Sequence, residues 1–371
     1  MNAYIYTQND IFLVAKAIGE GTQVGEMVFN TSLSGYQEII TDPSYAGQFI
    51  VFTMPEIGIV GVNDDDFESS KIHACGMLVR KLSKIYSNYR ASGDLENLLK
   101  KENKLLVYDV DTRFLTKMLR ENGAQKTIIS TQISDKDELK KMLNAAKSIS
   151  QIDLVGEVST KKSYSHDKGT WDFKSGTYSN LNKIGKKVAV IDYGVKRNIL
   201  NELCQTGLEL EVYPHNTKAE VLIEKYKKSQ INGVFLSNGP GDPKSLKNEI
   251  AEIKKIIEAK IPIFAICLGH QLLSNAFGFE TYKLKFGQHG SNHPVQNLIT
   301  KSVEITSQNH NYNVPEEISS VAEITHRNLF DGTIEGVRYK DYKIFSVQHH
   351  PEASAGPHES EYLFKEFLES L

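Results

Sequence analysis

Three side chains in the C-terminal half have the types and spacing that nucleophilic hydrolysis of an amide or ester requires: Cys267, His350 and Glu352. Cys267 follows the apolar run IPIFAI and precedes apolar residues at helical spacing, which predicts a strand–turn–helix with the thiol at the junction. Helix starts have unpaired N–H groups and a dipole that favour an anion, so this junction favours a thiolate. The N–H of Leu268 would then face the oxyanion of an attacked carbonyl. The alternative is a buried, inert thiol, as most free cysteines are.

A base for this thiol is expected in SVQHHPEAS, where a predicted strand ends at His350. Pro351 keeps the backbone extended, and residues two apart on an extended chain share a face. Glu352 can therefore accept a hydrogen bond from His350 and hold its tautomer. His270 is closer to Cys267 in sequence but lies on the first turn of the predicted helix, and we expect it to point away. An exposed His–Glu pair in a loop is the alternative interpretation.

A glycine-rich loop, SNGPGDP, follows another buried strand and is expected at the same sheet edge as Cys267. Gly239 and Gly241 let backbone N–H groups approach a ligand closely. An ordinary turn is the alternative. No GK[ST] follows the loop, so it is not a P-loop for phosphate.

The elements that would position these residues begin at Lys187. The runs KVAVID, LELEVYP, GVFLSN and IPIFAI alternate with helical segments, which predicts an α/β fold with a doubly wound, mainly parallel sheet. Ligands of such sheets bind beyond the carboxyl ends of the strands. SVEITSQ, SSVAEITHR, IEGVRYK and YKIFSVQ predict further strands, some antiparallel, and HESEYLFKEFLESL predicts a C-terminal helix.

The chain divides into two predicted domains and a connection. Residues 1–145 predict a separate, smaller α/β-type domain without repeated nucleotide-binding units. Residues 146–186 are rich in Ser, Gly and Lys and predict the connecting segment, and residues 187–371 predict the second domain.

Composition excludes several functional classes. A formal net charge of -3 gives no basic field for nucleic acid or an anionic membrane, and no apolar run approaches a membrane span. The N-terminus has no signal-peptide pattern. Cys75, Cys204 and Cys267 are scattered and form no CxxC, so we expect reduced thiols, a cytoplasmic protein and no metal site.

The motifs AICLGHQ, NGPGDP and HHPE together resemble those of the class I (triad) glutamine amidotransferase family. The resemblance runs from about Lys187 to the C-terminus. It implies Cys267 as nucleophile, His350 as base and acid, and Glu352 as the orienting group. It further implies a γ-glutamyl thioester, released ammonia, and an oxyanion hole formed by the N–H groups of Gly239 and Leu268.

The first half resembles the small-subunit family of carbamoyl-phosphate synthetase, through GEMVFNTSLSGYQEIITDPSYAGQ, HACGMLVR and DVDTRFLTKMLR. DYGVKRNIL, FGQHGSNHPV, SQNHNYNV and PEASAGPH extend the resemblance over nearly the whole chain. The implied glutamine-binding residues, which place this site near the domain junction, are Ser44, Gly239, Gly241, Leu268, Gln271, Asn309, Asn311 and Tyr312.

The same resemblance implies a hetero-oligomer with a large synthetase subunit that binds ATP, magnesium and bicarbonate and receives ammonia through a tunnel. This chain would need no cofactor, and residues 1–145 would dock the partner. The pathway served would be arginine or pyrimidine biosynthesis. An amidotransferase for another synthetase, a free glutaminase and a catalytically silent scaffold are the alternatives, and intact Cys267, His350 and Glu352 argue against silence.

Three positions depart from the family motifs. Ala265 replaces the first glycine of the nucleophile segment and adds a methyl group where the turn is tight. Asn311 replaces a glycine, and asparagine is the non-glycine residue that best adopts positive φ. His349 precedes the catalytic histidine where glycine is frequent. Only one of His349 and His350 can face the thiol, and the HPE spacing selects His350.

Overall fold

The computed structural model describes all 371 residues, and they form two compact units. The first unit comprises Met1–Leu154, Leu284–Ser291 and Ser354–Gly356; the second comprises Val155–Lys283, Asn292–Ala353 and Pro357–Leu371. Two short segments of the first unit thus fall within 187–371, the range predicted for the second domain.

The chain contains 21 β-strands. They are β1 Asn2–Thr7, β2 Phe12–Ile18, β3 Thr22–Asn30, β4 Gln48–Phe52, β5 Glu56–Ile57, β6 Gly76–Leu78, β7 Lys81–Leu82, β8 Leu105–Tyr108, β9 Gln125–Ser130, β10 Tyr164–His166, β11 Trp171–Asp172, β12 Thr177–Tyr178, β13 Lys187–Asp192, β14 Glu209–Pro214, β15 Gly233–Leu236, β16 Ile263–Ile266, β17 Tyr282–Asn297, β18 Val303–Asn313, β19 Ala322–Asn328, β20 Ile334–Tyr339 and β21 Ile344–Val347.

Ten α-helices accompany them: α1 Tyr36–Thr41, α2 Leu95–Lys101, α3 Thr112–Asn122, α4 Lys136–Ala145, α5 Leu154–Val158, α6 Arg197–Gln205, α7 Ala219–Lys227, α8 Lys247–Glu258, α9 Leu268–Ala276 and α10 Tyr362–Ser370. Short 3-10 helices lie at Pro43–Tyr45, Ile149–Gln151, Pro243–Ser245 and Glu316–Ser320. None of the helices combines the length and apolar composition that crossing a membrane requires.

Seven strands of the first unit close into a barrel in the order β1-β2-β8-β6-β4-β3-β9. The pairings of β3 with β4, β4 with β6 and β6 with β8 are parallel, and the others are antiparallel. All seven strands contribute to one buried apolar cluster, for example through Ile5, Phe49 and Val107, and α3 adds Leu115 and Leu119. Closure leaves this sheet no unpaired edge.

The second unit is built on a ten-stranded sheet in the order β10-β14-β13-β15-β16-β21-β20-β19-β17-β18. Strands β14, β13, β15, β16 and β21 are mutually parallel, and β20 and β19 continue the sheet antiparallel. The predicted mainly parallel sheet and the predicted later strands are confirmed. The carboxyl ends of β13, β15, β16 and β21 meet at one edge, where Cys267 and His350 follow their strands.

Helices cover both faces of this sheet, as in a doubly wound fold. Successive strand residues alternate in direction, so Val188 and Val190 pack with α6 and α10 on one face. Ala189 and Ile191 pack on the other face in the cluster that includes α7, α8 and α9. The predicted doubly wound α/β class is therefore confirmed, with a separate smaller domain of mixed α/β structure before it.

Candidate active site

Cys267 lies in the tight turn between β16 and α9, as the strand–turn–helix pattern predicts. Its backbone has φ 54° and ψ −105°, a strained conformation for a residue with a side chain. The Cys267 N–H donates to the carbonyl of Val347 at 2.9 Å, and its carbonyl accepts the N–H of Gln271 at 3.1 Å. The residue is 2% exposed. These bonds fix the thiol at the carboxyl edge of the sheet.

His350 and Glu352 contact each other directly beyond the end of β21. The imidazole Nδ1 and Glu352 Oε1 are 2.7 Å apart. The backbone N–H of His350 donates to Ser307 O at 2.9 Å, which ties this loop to β18. Both side chains are buried. The two-residue spacing thus places the carboxylate where it holds Nδ1 and leaves Nε2 as the ring atom available to a reaction.

A lysine completes the ion-paired cluster. Lys196 Nζ lies 2.9 Å from the same Glu352 oxygen and donates to the carbonyl of Ala353 at 2.6 Å. Lys196 is 4% exposed and immediately precedes α6. Motif matching assigned no role to this residue, although it lies within DYGVKRNIL. A lysine in the loop after a buried strand, at the sheet edge that carries Cys267, was the signal that could have identified it.

Nearby charges shift the pKa values of His350 and Glu352 more strongly than burial does, and in the opposite direction. Burial alone would lower the pKa of His350, but the Glu352 carboxylate and the sulfur of Cys267 raise it to about 10. Burial would raise the pKa of Glu352, but Lys196 and His350 hold it at about 2. At neutral pH the cluster therefore contains a carboxylate between an imidazolium and an ammonium group.

The sulfur of Cys267 faces the histidine and the β18 backbone. Its Sγ lies 3.5 Å from the carbonyl oxygen of Asn309. The Nε2 atom of His350 is buried and forms no hydrogen bond of good geometry, yet the sulfur is close enough to raise the pKa of the imidazole. The structure brings the Cys267 thiol, the His350 imidazole and the Glu352 carboxylate together, and their roles as nucleophile, base and orienting group stay predictions.

The glycine loop after β15 packs closely on the nucleophile turn. A Cβ atom on Gly239 would lie 2.3 Å from Tyr193 O and 2.8 Å from Leu268 Cδ2. Only glycine therefore allows this loop to approach Leu268. Gly241 has φ +93° and open space around it. The two residues predicted to supply oxyanion N–H groups, Gly239 and Leu268, are neighbours in space.

The predicted glutamine-binding residues of the second unit lie around this turn. Gln271 Nε2 donates to Tyr312 O at 2.9 Å and to Gln348 Oε1 at 3.0 Å, which ties α9 to β18. Asn309, Asn311 and Tyr312 are buried residues of β18. Asn311 is extended and does not have positive φ, so the replacement of glycine does not use that property of asparagine.

Ser44 belongs to the first unit. It lies in the 3-10 helix Pro43–Tyr45, and its N–H donates to Asp42 Oδ1 at 2.8 Å. Its predicted role in the glutamine pocket stays a prediction.

The two competing histidines have other partners. His270 Nδ1 lies 2.8 Å from Ser346 Oγ, and burial lowers the pKa of His270 to about 3. His349 is fully buried with its Nδ1 3.6 Å from Glu335 Oε2. His349 and His350 thus contact different carboxylates, as expected of neighbours on an extended chain.

Ala265, the other departure, lies in β16 with its methyl group in the core of the sheet's α8–α9 face. It does not have positive φ, so the methyl group adds buried apolar contact without backbone strain.

Known protein families cover both halves of the chain. Residues 189–370 match the family model of class-I glutamine amidotransferases, and residues 5–129 match that of the carbamoyl-phosphate synthase small chain CPSase domain.

Full-length relatives agree with both matches. The carbamoyl phosphate synthase small chain of Campylobacter jejuni is 64% identical over 369 residues, which cover 99% of each chain. The chain belongs to the carbamoyl phosphate synthase small chain family. Family members from Helicobacter hepaticus and Salmonella typhimurium are 57% and 45% identical, over 98% and 96% of this chain and 97% and 94% of theirs. The C-terminal half is accordingly a glutamine amidotransferase domain.

Proposed function

We propose that this chain hydrolyses L-glutamine through a thioester on Cys267 and delivers the ammonia to a large synthetase subunit, which makes carbamoyl phosphate. The observation that carries the proposal is the buried Cys267–His350–Glu352 cluster in a class-I amidotransferase domain. An amide is a poor electrophile, so hydrolysis needs a nucleophile, a proton donor for the leaving amine and a stabilised oxyanion.

The first half-reaction forms the thioester. Cys267 Sγ attacks the side-chain carbonyl carbon of glutamine, and the carbonyl electrons move to oxygen. The N–H groups of Leu268 and Gly239 would bind this oxyanion; their close packing supports that role. His350 is protonated at neutral pH because of its raised pKa, so it can donate its Nε2 proton to the leaving nitrogen. The C–N bond breaks and ammonia departs.

The second half-reaction releases glutamate. Neutral His350 takes a proton from water, and the resulting hydroxide attacks the thioester carbonyl carbon. Collapse of the second tetrahedral intermediate breaks the C–S bond and restores the thiolate beside the imidazolium. Glu352 stays ionised throughout and holds Nδ1, a role that its low pKa supports. Lys196 would keep this carboxylate oriented in both steps.

The partner would supply the remaining chemistry. In this proposal ATP, magnesium and bicarbonate bind the large subunit, and this chain uses no cofactor of its own. The first unit would dock that subunit.

A surface of the first unit supports docking. Five large apolar side chains are exposed on two neighbouring segments, and we call them the apolar loop patch: Ile59, Val60, Ile85, Tyr86 and Tyr89. The segments are joined by the hydrogen bond from Ser87 N to Ile59 O at 2.9 Å. Ile85 and Tyr89 are 82% and 83% exposed. Contiguous exposed apolar side chains mark interaction surfaces in folded proteins.

The proposal is tested by separating the two nitrogen sources. In the complex with the large subunit, Cys267→Ser is expected to abolish glutamine-dependent carbamoyl phosphate synthesis and to keep ammonia-dependent synthesis. His350→Asn should lower kcat for glutamine by at least ~100-fold, the scale of a lost general acid–base. His349→Asn is the matched control and should lower kcat for glutamine less than His350→Asn does. Glutamine-dependent synthesis that survives in Cys267→Ser would contradict the proposal.

A further inference from the structure

A second cluster of ionisable side chains lies outside the candidate active site, where α6 meets the turn before α10. Glu202, His358 and Glu361 each offer a ligand atom, and these three atoms lie within 4.8 Å of one another. His358 Nδ1 contacts Glu361 Oε1 directly. The cluster therefore combines one imidazole nitrogen with two carboxylates. These three residues were not predicted from the sequence, because the expectation of no metal site was based on the scattered cysteines alone.

Glu202 is the unusual member. It is 8% exposed, yet its carboxylate forms neither a hydrogen bond nor an ion pair with any Lys or Arg. A buried carboxylate without a partner is costly, and such groups are normally paired or bind a metal. The charged groups nearest to Glu202 are the carboxylates of Glu361 and Glu352, so a cation is the partner that this buried group lacks.

The geometry directs Glu202 toward the turn. Asn198 and Glu202 are four residues apart on α6 and share a face of that helix. Asn198 Nδ2 donates to the carbonyl of Glu352 at 2.6 Å, so this face is the one that meets the chain following Glu352. Glu202 lies one turn further along and is aimed at His358 and Glu361.

We propose that Glu202, His358 and Glu361 form a binding site for a first-row divalent cation of the zinc class. Imidazole with carboxylates is a donor set that suits Zn²⁺, and three protein ligands leave a position for water. Ligands of a tetrahedral cation lie roughly 3.3–3.6 Å apart at bond lengths of about 2.0–2.2 Å. The side chains of His358 and Glu361 are 56% and 41% exposed, so rotation of these two can close the shell around the fixed Glu202 carboxylate.

Such an ion would cross-link α6 to the C-terminal turn. The N-terminal end of α6 already holds Glu352 through Lys196 and Asn198. A cation at Glu202 adds a tie one turn later, on the same segment of chain that follows the His350–Glu352 pair. The site does not depend on the glutaminase chemistry, and its test needs no activity measurement.

Zinc binding to the full-length chain is the direct test, measured by calorimetry in a Cys267→Ser background so that the active-site thiol does not bind the metal. We expect one Zn²⁺ per chain, with binding at least ~10-fold weaker in Glu202→Gln and in Glu361→Gln. Glu369→Gln removes an exposed carboxylate of α10 that lies outside the cluster. This control variant should bind Zn²⁺ as tightly as the parent does. Thermal unfolding should show a zinc-dependent rise in Tm for the parent and the control only.

Two results would overturn the site. One is the absence of stoichiometric zinc binding to the parent. The other is equal affinity in the parent, in Glu202→Gln and in Glu361→Gln, which would indicate adventitious binding. Because the Glu361 side chain is half-buried and Glu202 is buried, the Glu361 variant stays informative even if Glu202→Gln lowers the stability of the fold.

Discussion

At the residue scale, the site depends on one oxygen atom of a buried carboxylate. Glu352 Oε1 contacts both His350 Nδ1 and Lys196 Nζ, while the other oxygen has no hydrogen bond in the chain. This arrangement fixes the tautomer and rotation of the imidazole, because Nδ1 is committed to the carboxylate. The ring's Nε2 is then the only atom that can exchange a proton with substrate.

The pKa of His350 should depend on Glu352. With Glu352 present, histidine NMR titration should place it near 10, well above the ordinary value of 6.5. The imidazolium then stabilises the fold in full below about pH 6.5, and this contribution is lost as the pH rises through about 10. Glu352→Gln removes a carboxylate that raises the pKa of His350, while burial, which lowers this pKa, remains. The pKa of His350 should therefore fall by several units in this variant. An unchanged titration in Glu352→Gln would exclude the carboxylate as the cause.

Lys196→Met tests the second contact of the same oxygen. Removing one partner of a buried ion pair costs about 3–5 kcal/mol, because the other charge stays buried. We expect lower unfolding stability and a lower kcat for glutamine with a smaller effect on KM. Lys225→Met is the control, since the Lys225–Glu211 pair is more exposed and should contribute about 1 kcal/mol or less. If the two variants lose the same unfolding stability and the same kcat, Lys196 does not position the Glu352 carboxylate for catalysis.

At the element scale, the nucleophile turn depends on close packing between α9 and β15. Gly269, in the first turn of α9, donates its N–H to Ser237 O at 3.0 Å. A Cβ atom there would lie 2.4 Å from the backbone oxygen of Leu236. The helix that positions Leu268 and Gln271 can therefore approach the strand only because residue 269 has no side chain.

Gly269→Ala should move α9 away from β15. The overpacked contact is with backbone, so we expect destabilisation of roughly 1–3 kcal/mol together with a loss of glutaminase activity. Denaturant unfolding and kcat for glutamine measure the two effects. Gly93→Ala is the matched control, because its Cβ would meet only Val62 at 3.5 Å and its φ is ordinary. Wild-type activity in Gly269→Ala would show that the turn tolerates a wider spacing.

Local patterns identify elements better than they identify pairings. The alternation of apolar runs and helical spacing correctly predicts β13, β15, β16, α8 and α10, and with them the sheet edge that holds Cys267. The closed barrel of the first unit was not predicted, because its parallel pairings join strands that are distant in sequence. The contact of Lys196 with Glu352 spans 156 residues and leaves no local periodicity.

At the scale of the whole molecule, the two compact units do not correspond to two continuous halves of sequence. Leu284–Ser291, in the middle of β17, belongs to the first unit. Its Lys285 and His289 carbonyls accept the N–H groups of Ala124 and Thr31. A truncation that begins near Ile184 would strip these partners from the remaining chain. Point variants in the full-length chain therefore test partner docking better than a truncation does.

The apolar loop patch supplies those variants. Ile85→Asp and Tyr89→Asp place a charge on an exposed apolar surface, so folding should be unaffected while association with the large subunit weakens at least ~10-fold, or about 1.4 kcal/mol. Sedimentation and calorimetry measure the association. Phe173→Asp is the control, an equally drastic change at a 70% exposed aromatic residue of the second unit. Wild-type affinity in both patch variants would reject this surface as the docking site.

The same variants connect docking with catalysis. An uncoupled glutaminase would waste glutamine, so we expect slow glutamine hydrolysis by the isolated chain and faster hydrolysis in the complex. Ile85→Asp should keep the slow rate of the isolated chain and require more large subunit for stimulation.

Acylation of Cys267 by glutamine is tested most directly by trapping the thiol with an electrophilic chloroketone analogue of glutamine. Mass spectrometry should find one label per chain, on Cys267, with glutamine protecting the site and Cys267→Ser abolishing the label. The thiols of Cys75 and Cys204 are internal controls in the same molecule. Label on either of them with Cys267 unmodified, or glutamine hydrolysis that persists in Cys267→Ser, would show that Cys267 is not the nucleophile.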